Sequence, residues 1–385
     1  MTSVPAASCR WWAVRRGTPF ATVIPLTMIV SRVEPTSGGW HDRLQYFESP
    51  PGKPKRSCEL TAALHLSFTS KTSWGAMRMQ VNIREEDRGR LGAGIVIATH
   101  QLDQHALFTD TAIAALLDRH PPEQVFALSM GTDPTKPEEN CLAAHQGLSG
   151  AAILQAVKAG RLWLNVKGLH QDSQYGELIA SLYDSVSEQC AGFHPSAVRG
   201  TLLVSSPRAL VYYHVDGPPS LLWHVRGKKR VWIYPPLDER LVARELLEDI
   251  MAGAAHEYVP YEPSFDSRAT VLDLEPGMLV SWPQNASHRI TNLDSLNVSI
   301  STEHFTPQSR ARARVYCANR FLRRTFGLHA LSTRERGVGA LSKVLLHRLA
   351  KLARLERTQM KQHKPTLRVD PQAPLGCVPL DAAVS

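Results

Sequence analysis

No run of eighteen apolar residues occurs anywhere in this chain of 385 residues, so no membrane-spanning helix is expected. Cysteine is sparse and scattered: Cys9, Cys58, Cys141, Cys190, Cys317 and Cys377 include no CxxC pair. That excludes a disulfide-stapled module and a zinc ribbon, and it fits a reducing, cytoplasmic setting. Internal repeats are missing too, which excludes a solenoid or a propeller. Acidic residues are scarce at both ends. Residues 1–80 carry 10 Lys/Arg against 4 Asp/Glu and residues 306–385 carry 16 against 4, whereas residues 81–305 carry 18 against 27. The net charge of +9 is therefore a property of the flanks, and a nucleic acid or acidic surface would meet those flanks first. A hydrophobic content of 43% with 21% charged residues is that of a globular protein.

Residues 1–79 show no clean periodicity and read as a poorly structured extension. Arg10, Arg15 and Arg16 precede the apolar stretch PFATVIPLTMIV, a pattern to weigh against a targeting peptide, although Pro25 interrupts it. A translation start at Met77 or Met79 is the competing reading of the same segment. Order improves from residue 80. Thr109-Asp110 and Ser149-Gly150 are helix-start signals ahead of TAIAALLDRH and AAILQAVKAG, and QYGELIASLYDSVSEQC repeats its apolar residues at helical spacing.

Strand-like runs then follow in quick succession: GTLLVSS, ALVYYHVD, SLLWHVRG, KRVWIYPP, ATVLDLEPG, MLVSWP, HRITN and LNVSIS, with one helical insert, LDERLVARELLEDIMAG. Short strands punctuated by Gly and Pro point to an antiparallel barrel or sandwich, not to a parallel sheet with regular crossovers. The expected fold is mainly β with flanking helices: a double-stranded β-helix of the jelly-roll or cupin kind, with a helical layer before it and helices after it. The expected division is a catalytic domain over 80–305 with its barrel core at 200–305, basic helices over 306–362, and a disordered tail over 363–385.

His214-Val215-Asp216 lies at the end of one such strand, and His288 opens a later one 72 residues beyond Asp216. Side chains on a strand alternate with period two, so an HxD pair places both ligands on one face. Two imidazoles and one carboxylate form the facial set that holds Fe(II) and leaves other coordination positions open. Zinc would accept the same donors but favours thiolates or three histidines. The competing reading makes Asp216 a turn cap and the histidines ordinary strand residues. Lys229, with Lys228 as the alternative, is the candidate cation for the far carboxylate of a 2-oxo acid that chelates iron; the competing reading makes GKKR a plain basic turn. His224 reads as a core or supporting residue, Arg289, next to a ligand, as pointing outward, and Trp223, Trp232 and Trp282 as core more readily than as a cleft lining.

VYYHVD, LLWHVRGKKRVWIYPP, LEPGMLVSWPQNASHRITN and LNVSIS together resemble the JmjC-type, cupin-like Fe(II)/2-oxoglutarate oxygenases over about residues 105–325. The resemblance implies iron ligands at His214, Asp216 and His288 and a co-substrate lysine at Lys229 in the Gly227-Lys228-Lys229 turn. It also implies consumption of 2-oxoglutarate and O2 with release of succinate and CO2, in a hydroxylation or demethylation. An arginine about ten residues beyond the distal histidine, used by other 2-oxoglutarate oxygenases, is replaced by Val298, as expected of the lysine-using branch. Two positions depart from the family pattern: Val211 stands where Ser or Thr is frequent, and Ser220 where Asn is frequent. Ser220 and Tyr212 are then the candidate hydrogen-bond donors to the co-substrate, with Asn297 and Thr302 as further polar candidates.

After Pro307 the pattern turns helical, ending in VGALSKVLLHRLAKLARLER with apolar positions at Val338, Leu341, Leu345, Leu349, Leu352 and Leu355. That stripe needs a partner; packing on the barrel or forming a homodimer is the leading expectation, with nucleic acid or a membrane surface as alternatives. A non-enzymatic, metal-binding cupin-like regulator that contacts nucleic acid through its basic flanks is the competing function. The substrate, whether protein, peptide or small molecule, is not legible.

Overall fold

Strand-rich sequence after residue 195 builds two facing sheets, and apolar runs upstream lengthen one of them. The computed structural model describes residues 80–353, 355 and 364–380; the expected extension over 1–79, with its targeting and start-site readings, lies outside those residues. The chain begins with β1 (Asn82–Ile83), α1 (Glu85–Arg88), β2 (Val96–Thr99), α2 (Asp110–Arg119), β3 (Val125–Ser129) and β4 (Cys141–Ala144). Next come α3 (Gly150–Ala159), β5 (Leu162–Val166), α4 (Ser173–Gln189), β6 (Ser196–Ser205), β7 (Leu210–His214), β8 (Ser220–Arg226) and β9 (Lys229–Ile233). Then follow α5 (Arg244–Met251), β10 (Thr270–Leu274), β11 (Met278–Ser281), β12 (His288–Asn292) and β13 (Asn297–Phe305). The C-terminal elements are α6 (Pro307–Phe326), α7 (Val338–Leu352), β14 (Leu367–Val369) and β15 (Cys377–Pro379).

The larger sheet contains the run β11-β8-β13-β6 and the smaller one is β10-β9-β12-β7. The eight strands β6 to β13 thus pass back and forth between two antiparallel four-stranded faces. This is the wiring of a double-stranded β-helix, as the strand series predicts. Leu222, Val231, Ile233, Val280, Trp282 and Ile290 form the apolar filling between the faces. On the other side of the larger sheet, Leu221, Trp223, Val298 and Ile300 pack with Ile113, Leu154 and Leu182 of α2, α3 and α4. Each large apolar side chain taken from water there contributes about 1.5–3 kcal/mol. The helical layer is therefore continuous with the barrel wall.

Local signals explain the helix starts. Thr109 accepts a hydrogen bond from the Ala112 N–H, Ser149 from Ala152, and Asp172 from both Gln174 and Tyr175. Beyond the barrel, Thr306 and Ser309 form a reciprocal capping box at the start of α6. The described C-terminal residues correct the expectation of a disordered tail over 363–385. Leu367 and Arg368 of β14 pair in parallel with β4, and β15 pairs antiparallel with β14. The open edge of β4 needs hydrogen-bond partners, and Val369 buries its side chain in the same core as the helical layer. Among the described residues, no helix is long and apolar enough to cross a membrane.

Candidate active site

Register brings the three sequence-predicted metal ligands together. His288 at the start of β12 sits directly opposite His214 at the end of β7. Asp216 follows as the chain leaves that strand, and the three donor atoms lie within 4.8 Å of one another. The Nε2 atoms of His214 and His288 are each 3.7 Å from an oxygen of Asp216. Each ring has its other nitrogen on a backbone carbonyl: His214 Nδ1 is 2.7 Å from Tyr212 O, and His288 Nδ1 is 3.2 Å from Ala286 O. A carbonyl can only accept, so Nδ1 carries the proton and the Nε2 lone pair faces the carboxylate. Burial, reinforced by the neighbouring His214, holds the His288 imidazole at about 4, well below its ordinary value. It is therefore a neutral donor, as metal ligation requires. Two imidazoles and a carboxylate grouped on one side are a donor set that fits Fe(II).

Supporting contacts immobilise the carboxylate arm. Ser220 Oγ donates to Asp216 Oδ2 at 3.0 Å. Asn285, in the left-handed region with φ 65°, donates from Nδ2 to the Asp216 carbonyl at 3.1 Å, and Gln284 Nε2 donates to the Gly217 carbonyl at 2.9 Å. Asparagine tolerates that backbone conformation better than most residues. The Asn285→Ala variant is expected to weaken Fe(II) binding by roughly 10- to 100-fold, the usual effect of losing an outer partner of a ligand. Anaerobic titration with Fe(II) measures this; an unchanged affinity would show that the arm is held without Asn285.

Lys229 is almost completely buried at the first position of β9. It shares a strand face with Val231 and Ile233, the face turned to the other sheet. Ile233 pairs with His288 and Lys229 with Asn292, so the lysine backbone lies four residues along the barrel from the metal ligands, about 13 Å at strand spacing. Its Nζ donates to Ser299 Oγ at 2.9 Å. His224 Nε2 is 2.9 Å from the Gly227 carbonyl and must donate there, leaving Nδ1 to accept from Ser299 Oγ at 3.0 Å. The hydrogen bonds therefore run one way: lysine to serine to histidine to the turn that precedes the lysine. Among the described residues no carboxylate pairs with Lys229, and burial alone lowers its pKa to about 7. Lys228 points away and pairs with Glu275 at the surface. Gly227 has φ 82°, and a Cβ there would stand 2.4 Å from the Leu296 carbonyl. Glycine is thus required for the turn that aims the lysine inward.

Other sequence-predicted contacts fall elsewhere. Thr302 is corrected: it lies on the face of β13 shared with Val298 and Ile300, accepts from Trp223 Nε1 at 2.8 Å and from Tyr183 of α4 at 3.1 Å, and so faces the helical layer. Asn297 braces the turn instead, donating to the carbonyls of Lys228 and Ser295. Ser220 Oγ is engaged with the Asp216 carboxylate. Tyr212 shares a strand face with His214, but its hydroxyl accepts from the Gly131 N–H at 3.0 Å and so holds the loop after β3. Trp282 packs on His288 with ring centroids 4.4 Å apart. Arg289 lies on the outer face, sandwiched between the Trp232 ring and Asp266.

Ser299, Asn285 and two carboxylates were not singled out from the sequence. Glu303 lies on the face of β13 that carries Ser299, and Glu257 precedes Tyr258, whose backbone bridges to His214. Burial, with the Asp216 charge second, raises the Glu303 carboxyl to about 7. Glu257 is open to solvent, and the Asp216 charge nearby pushes its carboxyl upward. The signal available for Ser299 and Glu303 was their shared odd-numbered parity with each other along one strand.

No family model matches the chain, and no curated protein matches it. Solved structures similar to it include those of Escherichia coli YcfD, described as a ribosomal oxygenase. One is 15% identical with a TM-score of 0.42, covering 72% of this chain and 69% of that one. Another, in complex with cobalt and 2-oxoglutarate, is 13% identical with a TM-score of 0.40, covering 76% and 75%. A third, in complex with cobalt and succinic acid, is 12% identical with a TM-score of 0.37 over the same shares of the two chains.

Proposed function

We propose that this chain is an Fe(II)- and 2-oxoglutarate-dependent oxygenase with His214, Asp216 and His288 as iron ligands and Lys229 as the anchor for the co-substrate. The carrying observation is Lys229: a buried lysine with no carboxylate partner among the described residues, on the inner face of the same barrel as the triad. A buried cation without a carboxylate costs stability, and a site that binds an organic acid accounts for keeping it. A pure metal-binding regulator has no use for such a group. Iron and 2-oxoglutarate, when bound, supply the activation of O2 and the oxidation of a C–H bond, with succinate and CO2 as products. The chain's own residues position and neutralise. Lys229 receives the far carboxylate, Ser299 and His224 hold the lysine in place, and Ser220 and Asn285 hold the Asp216 arm. Glu257 and Glu303, near Asp216, favour a substrate that brings a cationic group to the reacting end.

The test is succinate release from 2-oxoglutarate by protein loaded anaerobically with Fe(II) and then exposed to O2. Slow, substrate-independent turnover is expected, stimulated by basic peptides. Tight iron binding with no succinate across peptide and metabolite panels would favour the regulator and overturn the oxygenase.

A further inference from the structure

The larger sheet does not end at the barrel. Beyond β6 it continues into β5, so the inner face of the barrel runs out over a further strand. On β5, Leu162, Leu164 and Val166 are buried against the helical layer, which leaves Trp163, Asn165 and the following Lys167 on the face that continues the barrel interior. On β6, Leu203 marks the same face, and Thr201 and Arg199 share it at period two. Arg199 stands directly opposite Glu303 of β13, and Glu303 stands opposite Ser220, the donor to Asp216. Charge therefore changes sign going outward from the metal ligands: Asp216 and Glu303 first, then Arg199 and Lys167. With strands about 5 Å apart, the two cations lie about 5 and 10 Å across the sheet from Glu303.

Opposite charges facing each other on neighbouring strands ordinarily pair. These do not. Among the described residues Lys167, Arg199, Glu257 and Glu303 form no ion pair, although both cations are close enough for their charges to act on Glu303. Lys167 and Arg199 are exposed. Asn165 Oδ1, two residues before Lys167 on the same face, is buried without a hydrogen-bond partner among the described residues.

We propose that Lys167 and Arg199 form a carboxylate subsite at the rim of the active site, so that the substrate is a basic residue with a free carboxylate. That residue is a free amino acid or the last residue of a peptide. The inference rests on the oxygenase reading, with Glu257 and Glu303 receiving the cationic end. An extended arginine or lysine then brings its carboxylate out to the two unpaired cations. Asn165 offers an acceptor to the N–H beside that carboxylate. A basic residue inside a chain would place a neutral peptide group at the rim, which two cations hold far less strongly than a carboxylate.

Calorimetric titration of anaerobic protein loaded with Fe(II) and 2-oxoglutarate measures binding without turnover. Arginine or lysine is expected to bind, and the corresponding amino-acid amide to bind roughly 10- to 100-fold more weakly, the effect of losing one charge-assisted contact. A peptide ending in arginine should likewise bind more tightly than its amidated form. Whichever of free arginine and that peptide binds more tightly identifies the source of the carboxylate. The Lys167→Gln, Arg199→Gln double variant removes two exposed charges; it should weaken the acid to the level of the amide and leave the amide unchanged. A merely structural role would weaken both alike. Acid and amide that bind equally to wild type overturn the proposal. So does a double variant that keeps the preference for the acid, or a wild type that binds neither. Arginine bound as expected with no succinate formed would uphold the subsite and count against the oxygenase reading alone.

Discussion

Replacing His214 with alanine is expected to abolish Fe(II) retention and succinate formation together while leaving the barrel folded. Structural metal sites with four ligands bind with about 10–16 kcal/mol, roughly 3–4 kcal/mol per ligand, so losing one ligand costs roughly 100- to 1000-fold in affinity. His214 is the better position for this test than His288. It is 12% exposed at the strand end, whereas His288 is 3% exposed and packed beneath Trp282, so its removal would open a cavity. Circular dichroism and melting of metal-free protein should therefore barely change in the variant. Iron content after desalting and succinate yield report the loss. A His214→Ala protein that keeps both would place the metal elsewhere and remove the basis of the proposed chemistry.

The barrel and the triad were legible because both are written in period two. Alternation marks the strands, and an HxD pair at a strand end can only present its first and third residues together. Lys229 was legible through Gly227, the turn residue that fixes where the next strand begins. The co-substrate surroundings were not, because both faces of β13 are buried: Val298, Ile300 and Thr302 against helices, Asn297 and Ser299 on the other side. When neither face meets water, alternation cannot say which one is inside. Thr302 and Asn297 have opposite parity, so they could not both have faced one ligand, and the polar residue that meets Lys229 is Ser299. The C-terminal tail was misjudged for a different reason. Its strands are three residues long, and their pairing is set by the free edge of β4, more than two hundred residues earlier.

The second large effect is expected from Lys229→Met, which should separate the fold from the function in opposite directions. Burial pushes the Lys229 ammonium down to about 7, while in the unfolded chain it stays near 10.4. Between those values the unfolded chain holds a proton that the folded one has given up, so this group makes stability rise with pH across that window. Below pH 7 the folded protein carries the buried charge at full cost. The methionine variant fills a similar volume without charge. It should melt above wild type at pH 6, with the gap closing as pH approaches 10. Adding 2-oxoglutarate should reverse the order, raising the melting temperature of wild type and leaving the variant unmoved. A carboxylate deprived of its buried cation loses about 3–5 kcal/mol, so the KM for 2-oxoglutarate should rise by at least roughly 100-fold while iron content stays at the wild-type level. The pairing of those readouts gives the experiment its force. A variant that binds iron, melts higher without the acid and no longer responds to it assigns Lys229 to the acid. A variant that still binds the acid leaves the buried lysine as a structural cost with no ligand to offset it.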